Sequence, residues 1–162
     1  MKNYRIEIKW ALIFTVVGLL WMVFEKAMGW HSENIAKHPL YTNLFGILAI
    51  LIYFLALRDK RKDFYDGLIT WRQGFVSGIL VTVIITLLTP ISLYITHEII
   101  SPEYFSNIIE YSVENNRMNR NDAEALFSLT SYIIQGTSWA LVMGVVTSAI
   151  VAWIIRTKKE SN

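Results

Sequence analysis

The chain has no cysteine, three prolines, and charge on only 17% of its 162 residues. Without cysteine there is no disulfide framework, no thiolate nucleophile and no cysteine-ligated metal, and the redox compartment is left open. No glycine-rich phosphate loop and no nucleic-acid-binding module is present, so the reading has no cofactor and no nucleic-acid partner. Charge is also missing at depth. The central parts of the apolar runs hold no Asp, Glu, Lys, Arg or His, the groups that proton relays, ion pathways and coupled transporters place there. No nucleophile and base of the kind an intramembrane hydrolase needs stand visibly within reach of each other. His97-Glu98 opens the zinc-protease pattern H-E-x-x-H, but its fifth position is Ser101 and the second ligand is absent.

What is abundant is apolar surface: 54% of the residues are hydrophobic and 14% aromatic, too much for an ordinary soluble domain of this size. The runs Ile8–Phe24, Leu40–Leu57, Phe75–Thr96 and Tyr132–Ile155 each approach the roughly 20 residues that cross about 30 Å of hydrocarbon. With their flanks they predict an all-α integral membrane protein, a single membrane domain over 1–162 with four transmembrane helices at about 8–28, 40–57, 71–97 and 124–156. The first contains Lys9, whose stem can lift its ammonium to the headgroups, and continues through Glu25 and Lys26 toward Trp30. A cleaved signal peptide is the rival reading of this end, since Lys2 and Arg5 precede an apolar core and Ala27-Met28-Gly29 resembles a cleavage site. The bulky Trp21–Phe24 stretch and the Glu25-Lys26 pair fit such a site poorly.

Orientation follows from the cations. Lys2, Arg5 and Lys9 precede the first span, Arg58, Lys60, Arg61, Lys62 and Arg72 fall between the second and third, and Arg156, Lys158 and Lys159 follow the fourth. Lys26, Lys37, Arg117 and Arg120 occupy the other two loops. The positive-inside rule therefore puts both termini and the middle loop in the cytoplasm. Trp10, Trp30, Trp71 and Trp153 fall near span ends, where amphipathic rings favour the interface.

The stretch "DGLITWRQGFVSG", Asp66 to Gly78, combines an Asp-Gly turn signal with Thr70 and Gln73 at capping-box spacing, so a helix starts at about Trp71. Gly74, Gly78, Thr82 and Thr86 then share one face. Pro90 follows one turn later, where the Thr86 or Thr89 hydroxyl could satisfy the carbonyl it frees. The last span carries a second seam, Gly136, Ala140, Gly144, Ser148 and Ala152. Small residues four apart let helices approach closely in lipid, so these two seams are expected to mate, within one chain or across a dimer. The bland reading is that small residues are common in membrane helices.

This stretch, leading on to "LYITHEIISPEYFSNIIEY", resembles the bacterial membrane proteins grouped as Domain of Unknown Function 4199, whose members carry an aromatic, glutamine-containing entry to the third span. Trp71 stands at the aromatic position, and Arg72 where a small residue is expected. The resemblance covers nearly the whole layout: four spans, a basic middle loop and a longer loop before the last span. It implies that architecture and a bacterial inner-membrane home, with no established activity and no catalytic residue.

The loop before the last span reads as an amphipathic helix over about 102–116, with Ser101 as N-cap, Pro102 at the first helical position and Glu103 favoured by the dipole. It covers the end of the bundle or, on the competing reading, docks a periplasmic partner. Asn121 with Glu124 is expected to cap a helix running into the fourth span. His31, His38 and His97 all fall on the predicted outer side with Glu33 and Glu98 beside two of them. These five residues are the set from which an outer zinc site could be built, although interfacial histidines need no metal. The expectation is a non-enzymatic scaffold or partner-binding subunit in contact with the lipid bilayer. It self-associates or pairs with a membrane or periplasmic protein. The alternative is a small-solute transporter or channel component.

Overall fold

The computed structural model describes residues 4–157; Lys2, Lys158 and Lys159, counted among the inner cations, lie outside the described residues. Among the described residues there are seven α-helices: α1 (Arg5–Ala27), α2 (His38–Tyr41), α3 (Phe45–Asp63), α4 (Trp71–Tyr94), α5 (Tyr104–Glu114), α6 (Arg120–Leu126) and α7 (Leu129–Ile155). Short 3-10 turns at Ile35–Lys37 and Thr42–Leu44 join α2 into one helical run with α3, and a π-helical segment, Ile95–Ile100, extends α4. Among the described residues, four runs are long and apolar enough to cross a membrane: Arg5–Ala27, Ile35–Asp63, Trp71–Ile100 and Leu129–Ile155. The described residues form two compact units. One comprises those up to Phe14, Gly46–Leu87 and those from Trp139 onward; the other comprises Thr15–Phe45 and Leu88–Ser138.

In the first unit each helix buries a narrow stripe at three- and four-residue steps. The stripes are Tyr53, Ala56, Leu57 and Lys60 on α3, Gly74, Ser77, Gly78, Val81, Thr82 and Ile85 on α4, and Gly144, Ser148, Val151, Ala152 and Ile155 on α7. A β-carbon added at Gly74 would lie 3.1 Å from Ala152 Cβ, one at Gly78 2.6 Å from Ser148 Cβ, and one at Gly144 2.7 Å from Thr82 Oγ1. The two backbones can meet this closely only because those positions lack a side chain, and dispersion contacts replace the hydrophobic drive that lipid does not supply. The hydroxyls on the seam have partners. Tyr53 Oη lies 2.8 Å from Thr82 Oγ1, while Thr82 and Ser148 donate back to the carbonyls of Gly78 and Gly144. Such bonds are worth roughly 0.6 kcal/mol each in a membrane bundle.

The capping pair at the start of α4 is in place: Thr70 N donates to Gln73 Oε1 at 2.8 Å and Gln73 N to Thr70 Oγ1 at 3.3 Å. The turn before it needs two left-handed residues, Asp66 (φ 47) and Gly67 (φ 86), and Gly67 N closes the α3 C-terminus on the Arg61 carbonyl.

The second unit centres on Ile35, Tyr104 and Ile108, packed against Phe105, Tyr111, Phe127 and Tyr132. Gly136 belongs here, where an added β-carbon would sit 2.8 Å from Leu93 Cδ1.

Three local expectations are corrected. The helix of the second span runs past Leu57 to Asp63, and Lys60 is buried in it rather than exposed in a loop. The fourth span does not absorb the preceding helix: Phe127 leaves the helical region to join the aromatic cluster, and Ser128 Oγ accepts from Ser131 N to restart the chain as α7. The cap of α6 is Asn119, accepting from Asp122 N, in place of Asn121 with Glu124. Of the two hydroxyls expected to meet the carbonyl that Pro90 frees, that of Thr86 is buried without a hydrogen-bond partner, so the expectation rests on Thr89.

Candidate functional site

The site is built around a carboxylate that the chain buries completely, Glu25, in the last turn of α1. Gly29 (φ 71) then reverses the chain, with Trp30 N bonded to the Glu25 carbonyl. A β-carbon at Gly29 would meet Glu33 Oε2 at 2.6 Å. The reversal returns His31 to Glu25, and α2 starts by delivering His38 to the same oxygen. Both imidazole Nε2 atoms lie 3.1 Å from Glu25 Oε2. The Trp21 indole donates to the other oxygen, Oε1, and the Thr42 hydroxyl also bonds the carboxylate. A carboxylate out of water is tolerated only when its lone pairs are met in this way.

The outward nitrogens of the two rings are held as well. His31 Nδ1 is 2.7 Å from Ser101 Oγ, where the π-helical segment ends, and His38 Nδ1 is 3.4 Å from Tyr104 Oη, which in turn lies 3.1 Å from Tyr132 Oη. Asn107 Nδ2 donates to the His31 carbonyl and Lys26 Nζ to that of Ile100. Burial drives the Tyr104 phenol far above its ordinary pKa, helped by Tyr132 and by the Glu25 charge, so its hydroxyl stays protonated. Rings wall the cluster: Tyr104 packs 5.2 Å from each of His31, His38 and His97, and His97 stacks on Phe105 at 4.4 Å.

Of the five outer residues expected to offer a metal site, His31 and His38 are brought together. Glu33 and Glu98 are exposed and outside the cluster, and His97 joins the aromatic wall with its Nδ1 buried and unpartnered. The carboxylate that the sequence reading left out, Glu25, takes the acid position. Glu25, His31 and His38 offer ligand atoms all within 4.8 Å of one another. Ser101 was expected to cap α5; the N-cap is Glu103, and the Ser101 hydroxyl faces His31. Ser101, His31 and Glu25 therefore form a hydroxyl–imidazole–carboxylate chain, a nucleophile–base pair not visible in the sequence. All three members are buried, at 4%, 5% and 0% exposure, and Glu25 is shared with a second histidine.

The first unit holds a second buried charge. Glu7 on α1 and Lys60 on α3 pair at 2.9 Å with 1% and 5% exposure, and Ser77 Oγ donates to Glu7 Oε1 at 2.8 Å. At the surface, Asp59 accepts from Lys9 Nζ and Trp10 Nε1, so Lys9 is anchored to a carboxylate on α3.

Four membrane-length helices, with buried acids near both ends of the first, define a multi-pass helical membrane protein carrying a buried Glu-His-His cluster. The sequence profile of a family described as "Protein of unknown function (DUF4199)" matches residues 9–157, and the chain belongs to that family. No curated protein and no solved structure matches it.

Proposed function

We propose that the protein is a non-enzymatic scaffold or partner-binding subunit of a bacterial inner membrane, with both termini and the Arg58–Arg72 segment cytoplasmic. The observation that carries this is the closed seam of the first unit. There the neutral polar groups of α3, α4 and α7 (Tyr53, Thr82, Ser148) bond to one another and to helix carbonyls, which supports a packing role for them. Arg58, Lys62 and Arg72 are exposed, as cations at a headgroup surface would be.

Native mass spectrometry of the protein extracted with its lipids tests the reading. A defined homo-oligomer or a second polypeptide is the expected result, and a bare monomer holding a small molecule overturns it. The non-enzymatic part has its own check. A fluorophosphonate serine probe should leave Ser101 unlabelled in the membrane-embedded protein, because the hydroxyl is closed off from solvent. Labelling that disappears in Ser101→Ala would make the Ser101–His31–Glu25 chain catalytic.

One observation favours the second reading, a small-solute transporter or channel component: α1 buries two carboxylates, Glu7 and Glu25, of the type that ion-coupled carriers use. Solute flux into proteoliposomes that is lost in Glu7→Gln or Glu25→Gln would bring that reading forward.

A further inference from the structure

We propose that Glu25, His31 and His38 bind a divalent transition-metal cation, of which zinc is the best fit. The donor set is two imidazoles and one carboxylate, a combination that suits zinc and its neighbours and suits calcium or magnesium poorly, since those ions take oxygen ligands. The spacing fits. Tetrahedral zinc with bonds of about 2.0–2.1 Å holds its ligand atoms about 3.3 Å apart. Both imidazole-to-carboxylate separations are 3.1 Å, and no pair of ligand atoms exceeds 4.8 Å, so small side-chain rotations close the set on an ion.

The outer shell is the stronger argument. A histidine ligand needs its other ring nitrogen held, which fixes the tautomer and aims the ring. Here both outward Nδ1 atoms face a hydroxyl, Ser101 and Tyr104. A hydroxyl can donate or accept, so the same two partners serve both states. Without metal, each Nε2–H donates to Glu25 and each Nδ1 accepts from its hydroxyl. With metal, each Nε2 lone pair binds the ion and each Nδ1–H donates to the hydroxyl oxygen. The proton thus moves from one ring nitrogen to the other with no new buried unpaired group, and Tyr104 can pass its own hydrogen bond to Tyr132. The fourth position is left to a water. Bound metal would tie α1, the segment after it and α2 together. The inference is independent of whether the chain is a scaffold or a carrier.

The test uses full-length protein purified without a polyhistidine tag, stripped with a chelator and titrated with Zn²⁺ in lipid nanodiscs. One zinc per chain and a raised melting temperature are expected, with no such response to Mg²⁺. Co²⁺ should give the visible absorption of a low-coordinate nitrogen and oxygen site, displaced by Zn²⁺. His31→Gln and His38→Gln should each weaken binding about tenfold or more, and Ser101→Ala or Tyr104→Phe, which keep all three ligands, by about tenfold. Glu33→Gln and Glu98→Gln should leave it unchanged. Wild-type protein that takes up no zinc, or binding that survives both histidine substitutions, overturns the proposal. If those variants do not fold, the Co²⁺ titration of the wild type decides: absence of the band overturns it.

Discussion

Glu7 and Glu25 are the two side chains that lipid tolerates least, and the fold buries both. Later segments bring each of them donors, Lys60 and Ser77 for Glu7 and His31, His38 and Thr42 for Glu25, to which Trp21, one turn earlier on α1, adds its indole N–H. Breaking such a pair from one side leaves an uncompensated charge. Lys60→Met is therefore expected to destabilise the protein by about 3–5 kcal/mol, and the double variant Glu7→Gln/Lys60→Met to recover most of it. Unfolding in detergent, followed for both variants, checks this; equal losses would mean that the pair is not coupled. The two acids were legible in one respect. Glu7, Ala11, Phe14, Gly18, Trp21 and Glu25 follow one another at alternating steps of four and three, the stripe by which a helix faces its neighbours. What spacing does not supply is the partners: Lys9, expected to lift its ammonium to the headgroups, is paired with Asp59 on α3, and neither Lys60 nor the two histidines can be assigned to these acids from the sequence alone. Ser101 was misread for a related reason: its hydroxyl could cap a helix or meet a ring nitrogen, and only the placement of His31, seventy positions earlier, decides between them.

Among the elements, α4 and α7 test the packing most directly. Gly144→Leu forces a side chain against Thr82 Oγ1 at 2.7 Å and Tyr53 Oη at 2.9 Å, and is expected to cost about 1–3 kcal/mol or more in detergent stability. Gly46→Ala is the matched control. It is helical, exposed and meets nothing within 4 Å, so it should be neutral or gain roughly 0.5–1 kcal/mol. The meeting of Gly74, Gly78 and Thr82 with Ala152, Ser148 and Gly144, and the Thr70–Gln73 cap, could be read from spacing because a helix repeats on a fixed period. The π-helical segment Ile95–Ile100 could not be, nor the break at Phe127. Each coincides with a ring contact that spacing does not reveal: His97 against Phe105 in one case, Phe127 against Tyr132 in the other.

At the scale of the whole molecule, the four spans were legible because length and hydropathy alone define them. The assembly of the Glu-His-His cluster was not, because a charge census counts residues on loops without knowing which loops fold back. Two of the five cations of the middle segment also have partners within the fold. Lys60 is paired with Glu7, and Arg61 bonds the carbonyls of Gly67 and Ile155. Neutralising only Arg58, Lys62 and Arg72 should therefore weaken the orientation preference without unfolding the protein; a reporter at the C-terminus that stays fully cytoplasmic would show that other signals dominate. The stripe on α1 also sets an order of events during synthesis. When this helix leaves the ribosome, the cation that neutralises Glu7 and the imidazoles that shelter Glu25 have yet to be translated. Until the second helical run follows, both carboxylates lack the partners that neutralise and shelter them in the folded chain.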